Sequence, residues 1–116
     1  MEDCVFCKII RKEIPSKIVF EDEDIIAFED IHPVAPVHIL VIPKEHIESM
    51  LNIEEKHKPM IGKIHLVIAK IAAEKSIDET GFRVICNCGE DGGQVVSHIH
   101  FHLIGGKKLG SKIVND

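Results

Sequence analysis

No apolar run in this sequence reaches the roughly 18 residues that a membrane-spanning helix needs. Its first residues also lack the apolar core of a secretory signal, so a cytoplasmic location with no membrane partner is the expectation. A dense basic run is missing, and the net charge is −5 with neutral histidine. Without that electrostatic footprint nucleic acid is not an expected partner. Any nucleotide bound should be small and held by a local pocket. No internal repeat or low-complexity segment interrupts the chain. At 116 residues it can bury one hydrophobic core but not two, so residues 1–116 read as a single domain. Hydrophobic content of 45% beside 28% charged residues fits a soluble globular protein.

Cysteine is sparse, and its spacing is informative. Where thiols stay reduced, Cys4-x-x-Cys7 points to metal or redox chemistry rather than to a disulfide. Two thiolates three residues apart on one side of a short helix are half of a tetrahedral zinc site. Cys86 and Cys88 flank Asn87 on a predicted strand and share the face opposite it, which suits buried thiols.

Apolar periodicity supplies the elements. Asp3 can cap a short helix with Val5, Phe6, Ile9 and Ile10 on its apolar face, stopped by Pro15. Strands are expected at Lys17–Phe20 and Ile25–Glu29, joined by the acidic turn Glu21-Asp22-Glu23-Asp24. Ile31 to Pro36 holds two prolines and reads as a loop, and His38–Ile42 as a central strand ended by Pro43. Glu45–Met50 suits one helical turn. From Lys58 to Lys75, Ile61, Ile64, Ile68, Ile71 and Ala72 recur at spacings of three and four, with Pro59 in the first turn, predicting the long helix. Phe82–Cys88 is a further strand, and Gly89–Gly93 a tight loop. Strands on short turns around one inserted helix predict an α+β fold with an antiparallel sheet.

The stretch after that loop organises the rest. His98, His100 and His102 alternate with Ile99, Phe101 and Leu103 before Gly105-Gly106, the period of a strand. The three imidazoles then share one face at roughly 6.5–7 Å intervals, with their apolar neighbours toward the core. Imidazole can be nucleophile, acid, base or metal ligand. Two mechanisms therefore stand open. His100, with a partner on each side, can attack an acyl or phosphoryl centre, or the row can bind zinc and activate water. Gly92 and Gly93 allow close backbone approach, and their amides with that of Gln94 can form an anion-binding nest. His32, His57 and His65 are expected to be solvated.

On these residues the chain resembles the histidine triad (HIT) family, in its nucleotide-binding (Hint) branch. His98-Ile99-His100-Phe101-His102-Leu103-Ile104 fits the signature. Phe6-x-Lys8-Ile9-Ile10-Arg11-Lys12-Glu13-Ile14-Pro15, Ala27-Phe28-x-Asp30-Ile31, Ala35-Pro36-x-His38, Val41-Ile42-Pro43-Lys44-x-His46 and Asp91-Gly92-Gly93-Gln94 also look like it, in order along nearly the whole chain.

The resemblance implies a five-stranded antiparallel sheet with one long and one short helix, and a homodimer formed through the long helix and sheet edge. It further implies hydrolysis of purine nucleoside phosphoramidates or related nucleotide conjugates through a nucleotidyl-histidine. By position, His100 is then the nucleophile, His102 touches the phosphate, and His38 supports the site from behind. Asn87, Gly93, Gln94 and Val95 match phosphate-side contacts, and Asp30 the carboxylate on the ribose hydroxyls. Phe6, Ile9, Phe28 and Ile31 match the walls of the base pocket. Relatives with the same cysteine pair complete a structural zinc site with residues that correspond to His46 and His98. Val95 stands where the phosphoramidase branch often has a small hydroxyl residue, Ser97 replaces an aromatic, and the tail has no tryptophan. Dinucleoside polyphosphate hydrolysis, a zinc hydrolase built on the triad, and a nucleotide-binding regulatory module are the other readings.

Overall fold

The computed structural model describes residues 3–111. Helix α1 spans Val5–Ile10, followed by strands β1 (Ile18–Glu21), β2 (Ile25–Glu29) and β3 (Val37–Pro43). Helix α2 is Lys58–Glu74, and β4 (Phe82–Ile85) and β5 (Phe101–Gly105) complete one sheet. Its order is β1-β2-β3-β5-β4, with every neighbouring pair antiparallel. The α+β architecture and five-stranded sheet expected from the sequence are therefore present.

Alternation along the strands divides the interior in two. Ile25, Ala27, Ile39, Val41, Phe101 and Leu103 point to one face and pack with Ile64, Val67, Ile68 and Ile71 of α2. Ile26, Phe28, Leu40 and Ile42 point to the other and meet Phe6 and Ile9 of α1. Leu40 pairs with His102 across β3 and β5, and paired residues in antiparallel strands share a face. His38 is two residues from Leu40. The two histidines thus lie on the α1 side, and α2 supports the sheet from behind.

Several boundaries differ from the expectation. Cys4, not Asp3, caps α1, because its Sγ accepts the Cys7 N–H at 3.3 Å. The first strand runs one residue later, Ile18–Glu21, and carries an irregularity between Ile18 and Phe20. Asp22 closes the acidic turn by accepting the amides of Asp24 and Ile25. β3 extends through Pro43, which still pairs with Ile25. Glu45–Ser49 is not helical; a 3₁₀ turn at Met50–Asn52, capped by Ser49, follows it, and a second lies at Glu55–His57. β4 stops at Ile85, so Asn87 and its two cysteines lie in a connection and not on a strand. Cys86 and Cys88 are each only partly buried.

The histidine strand is likewise shorter than predicted. Sheet pairing starts at Phe101, because the Ile99 amide donates to the Ile47 carbonyl at 2.7 Å instead of to a neighbouring strand. The long helix matches its prediction to within its C-cap, Lys75. Its isoleucines Ile64, Ile68 and Ile71 are all covered within the protomer. Leu66, 74% exposed, is what α2 leaves outside.

Candidate active site

Two adjoining clusters occupy the α1 side of the sheet. In the first, hydrogen bonds fix the proton on each imidazole. His100 Nδ1 lies 2.8 Å from the His98 carbonyl, which can only accept. Nδ1 therefore carries the proton, and Nε2 keeps its lone pair. The Val34 amide donates to His38 Nδ1 at 3.1 Å, so the proton of His38 sits on Nε2. That Nε2–H faces His102 Nδ1 at 2.9 Å, which leaves His102 with its own proton on Nε2. His100 and His102 meet edge to face with centroids 5.1 Å apart. A base with a free lone pair thus stands beside an N–H donor.

Burial holds His102 neutral. Its pKa falls to about 4, first through desolvation, then through the neighbouring His100 and His38, with Asp30 opposing. The unfolded chain titrates this group near the ordinary histidine value, about 6.5. Between those values the unfolded state binds a proton that the fold refuses. The resulting stability is full above pH about 6.5 and is lost as pH falls toward 4. The urea midpoint should therefore drop between pH 7 and 4.5, and less steeply in His102→Asn. Parallel pH profiles for the two proteins would refute this assignment.

Asp30 lies beside this relay. Its Oδ1 accepts the His32 amide at 2.8 Å, and Oδ2 is 3.4 Å from His38 Nε2. Phe6, Ile9 and Phe28 are buried in the smaller core, and Phe6 sets its ring edge-on to His98, His100 and Phe28. Ile31 is 82% exposed. Asn87 is half-buried, and Val95 is 92% exposed beyond the glycine loop. A cavity of about 800 Å³ lies at the β4 edge near Phe82, Arg83 and Lys107, away from the imidazoles.

The expected anion nest is not formed. The Gly93 and Gln94 amides donate to the carbonyls of Glu90 and Gly89, so two of its three donors are used inside the turn. Gly92 is glycine for a local reason, since a Cβ there would collide with the Cys88 carbonyl. The Gln94 side chain is a staple: Oε1 accepts the Gly89 amide, and Nε2 donates to the carbonyls of Glu48 and Val96.

The second cluster joins Cys4, Cys7, His46 and His98, whose ligand atoms all lie within 4.8 Å of one another. Cys4 Sγ and His98 Nδ1 are 3.4 Å apart, Cys7 Sγ and His98 Nδ1 3.6 Å, and Cys7 Sγ and His46 Nδ1 3.3 Å. Sulfur and nitrogen ligands around a tetrahedral zinc ion would be separated by roughly 3.5 Å. His98 Nε2 donates to the Pro43 carbonyl at 2.8 Å, which leaves Nδ1 unprotonated and facing the sulfurs. Burial and the Cys4 hydrogen bond raise the Cys7 thiol to about 11, while burial lowers His98 to about 4. This donor set fits a tetrahedral metal ion.

His57 was expected in solvent and is instead buried. Its Nδ1 accepts the Glu54 amide at 2.8 Å, so its Nε2–H donates to Glu45 at 3.0 Å, tying the start of α2 to the residue before His46. The Glu54-x-x-His57 spacing is that of a capping box, with histidine in place of the usual Glu or Gln. That was the signal available in the sequence. His32 is exposed as expected, and His65 is exposed with its ring beside Phe101.

Known proteins resemble this chain throughout. A family model described as scavenger mRNA decapping enzyme C-term binding matches residues 3–114. A purine nucleoside phosphoramidase from Escherichia coli K12 is 46% identical over 114 residues, 98% of this chain and 96% of its own. The structure of a HIT family hydrolase from Clostridium thermocellum superposes with a TM-score of 0.96 at 50% identity, over 98% of this chain and 99% of that one. A histidine triad protein from Clostridium difficile gives 0.93 at 54% identity, over 97% of each chain. Likeness of that extent, with His98, His100 and His102 set beside α1, means that the chain belongs to the histidine triad (HIT) family.

Proposed function

We propose that the protein is a nucleotidyl hydrolase acting on purine nucleoside phosphoramidates or related nucleotide conjugates through a covalent intermediate on His100. The observation that carries this reading is the His100 tautomer. With Nδ1–H held on the His98 carbonyl at 2.8 Å, Nε2 is the free nucleophilic nitrogen. Nε2 attacks the α-phosphorus, and the bond to the leaving amine breaks as that nitrogen takes a proton from solvent. The His102 Nε2–H donates to a phosphoryl oxygen, with His38 holding its tautomer. Water then cleaves the nucleotidyl-imidazole, which splits one hard displacement into two easier steps. Asp30 supplies an acceptor for the ribose hydroxyls. The relative from Escherichia coli named for phosphoramidase activity supports this substrate class.

Against a hydrolytic metal held by the triad, His98 Nδ1 faces the cysteines whereas His102 Nδ1 faces His38. A hydrolysis panel of adenosine and guanosine phosphoramidates beside dinucleoside polyphosphates tests the reading. The phosphoramidates should be cleaved fastest, with release of the nucleoside monophosphate. Preference for the polyphosphates would move the chain to the alternative substrate class, and cleavage of neither would favour a nucleotide-binding module.

Cys4, Cys7, His46 and His98 are the proposed ligands of a zinc ion. Zinc there would supply cross-linking between α1, the segment after β3 and the residues before β5, and no redox chemistry. A homodimer is proposed as well. Exposed Leu66 on α2 and the exposed apolar residues Phe82 and Val84 on edge strand β4 are the surfaces that favour it. Sedimentation at micromolar concentration should show a species of twice 13.0 kDa, and a monomer alone would exclude it.

A further inference from the structure

We infer that Cys4 and Cys7 form a peroxide-responsive dithiol whose oxidation expels the metal and loosens the hold on His100. The inference rests on the metal reading of the four-residue cluster proposed above.

Access is the first observation. Cys4 is only partly buried and borders a cavity of about 390 Å³ that is also lined by Asp3, Val5, His46, Val95, Val96 and Ser97. A structural zinc site is normally closed; here two of the four donors line an open cavity larger than several water molecules, at about 30 Å³ each. Proximity is the second. Cys7 donates its amide to Cys4 Sγ, and both sulfurs lie within 3.6 Å of His98 Nδ1, so the resolving thiol stands beside the accessible one.

The chemistry balances with a hydroperoxide as oxidant. Cys4 sulfur attacks the peroxide O–O bond and becomes a sulfenic acid, releasing water. Cys7 sulfur then displaces hydroxide from the Cys4 sulfenyl sulfur. In total two thiolates, one hydrogen peroxide and two solvent protons give one disulfide and two waters. The S–S bond is about 2.05 Å, whereas two sulfurs on one tetrahedral zinc stand roughly 3.8 Å apart. Disulfide and bound metal therefore exclude each other.

The route to the nucleophile is covalent and short. His98 offers its ring to the cluster and its carbonyl to His100 Nδ1–H. Phe6, which lies between the two cysteines in sequence, packs its ring 5.1 Å from His100 and 5.9 Å from His98, centroid to centroid. Pulling the sulfurs together releases His98 and shifts the helix turn that carries Phe6.

The test uses the full chain as purified, titrated with hydrogen peroxide in the presence of a chromogenic zinc chelator. One equivalent should release about one zinc per chain. Peptide mapping should place the disulfide at Cys4–Cys7, and phosphoramidase activity should fall at least tenfold and return with dithiothreitol and zinc. The double variant Cys86→Ser/Cys88→Ser should release zinc identically. Retained zinc, oxidation mapped to Cys86 or Cys88, irreversible sulfinic acid at Cys4, or full activity after Cys4–Cys7 closure would each overturn the inference while leaving the metal reading intact. A chain that purifies without zinc would overturn both.

Discussion

His100→Ala should lose roughly 10³-fold or more in kcat/KM, a barrier increase of at least about 4 kcal/mol. The removed imidazole is the only one of the triad whose lone pair is both unbonded and aimed by a main-chain anchor. His98 has Nε2 on the Pro43 carbonyl and Nδ1 on the cysteines, and His102 has Nδ1 on His38. Neither can take over without breaking a buried hydrogen bond. Affinity for a non-hydrolysed nucleotide should change less than about threefold, since Asp30 and the His102 donor remain. Wild-type enzyme quenched during turnover should carry a nucleotidyl mass on the peptide that contains His100. Near wild-type turnover in His100→Ala would refute covalent catalysis at this residue.

The second large effect concerns the metal. At free zinc a hundred to a thousand times its dissociation constant, occupancy stabilises the fold by about 3–4 kcal/mol. For a domain of this size, that corresponds to a Tm shift of about 10–15 °C. Chelation, or Cys7→Ser, should therefore lower Tm by that amount. Elemental analysis should return about one zinc per chain, as one four-donor site requires. Cys7 is the informative position because it is buried and reaches both His46 and His98. Purified protein without zinc, or with a Tm indifferent to chelation, would remove the metal from the account.

Much of this was legible in the residues, and the parts that were not share one physical origin. The alternation around His98, His100 and His102 correctly put the imidazoles opposite Ile99, Phe101 and Leu103. The three-and-four spacing of isoleucine found α2 almost to the residue. Long-range hydrogen bonds decided the remainder. Pairing of the histidine stretch begins only at Phe101 because the Ile99 amide is taken by Ile47, 52 positions earlier in the chain. His57 is buried with its ring bonded to Glu45, 12 positions earlier in the chain. Gly92-Gly93-Gln94 carries the composition of an anion nest, yet two of its amides close its own turn. Local pattern reports which side chains can face together; it is silent on which distant carbonyl will claim an amide.

The Val34 amide gives the active site one further property. A main-chain N–H can only donate, and it holds its proton at every accessible pH. His38 therefore turns a lone pair toward residue 34, and its proton toward His102. Two imidazoles in series thus form a wire whose polarity is set outside the wire, by a peptide group between Pro33 and Pro36. Side-chain replacement at position 34 leaves that polarity as it is. Proline at position 34, which has no N–H to give, is the one residue that would let both rings reverse.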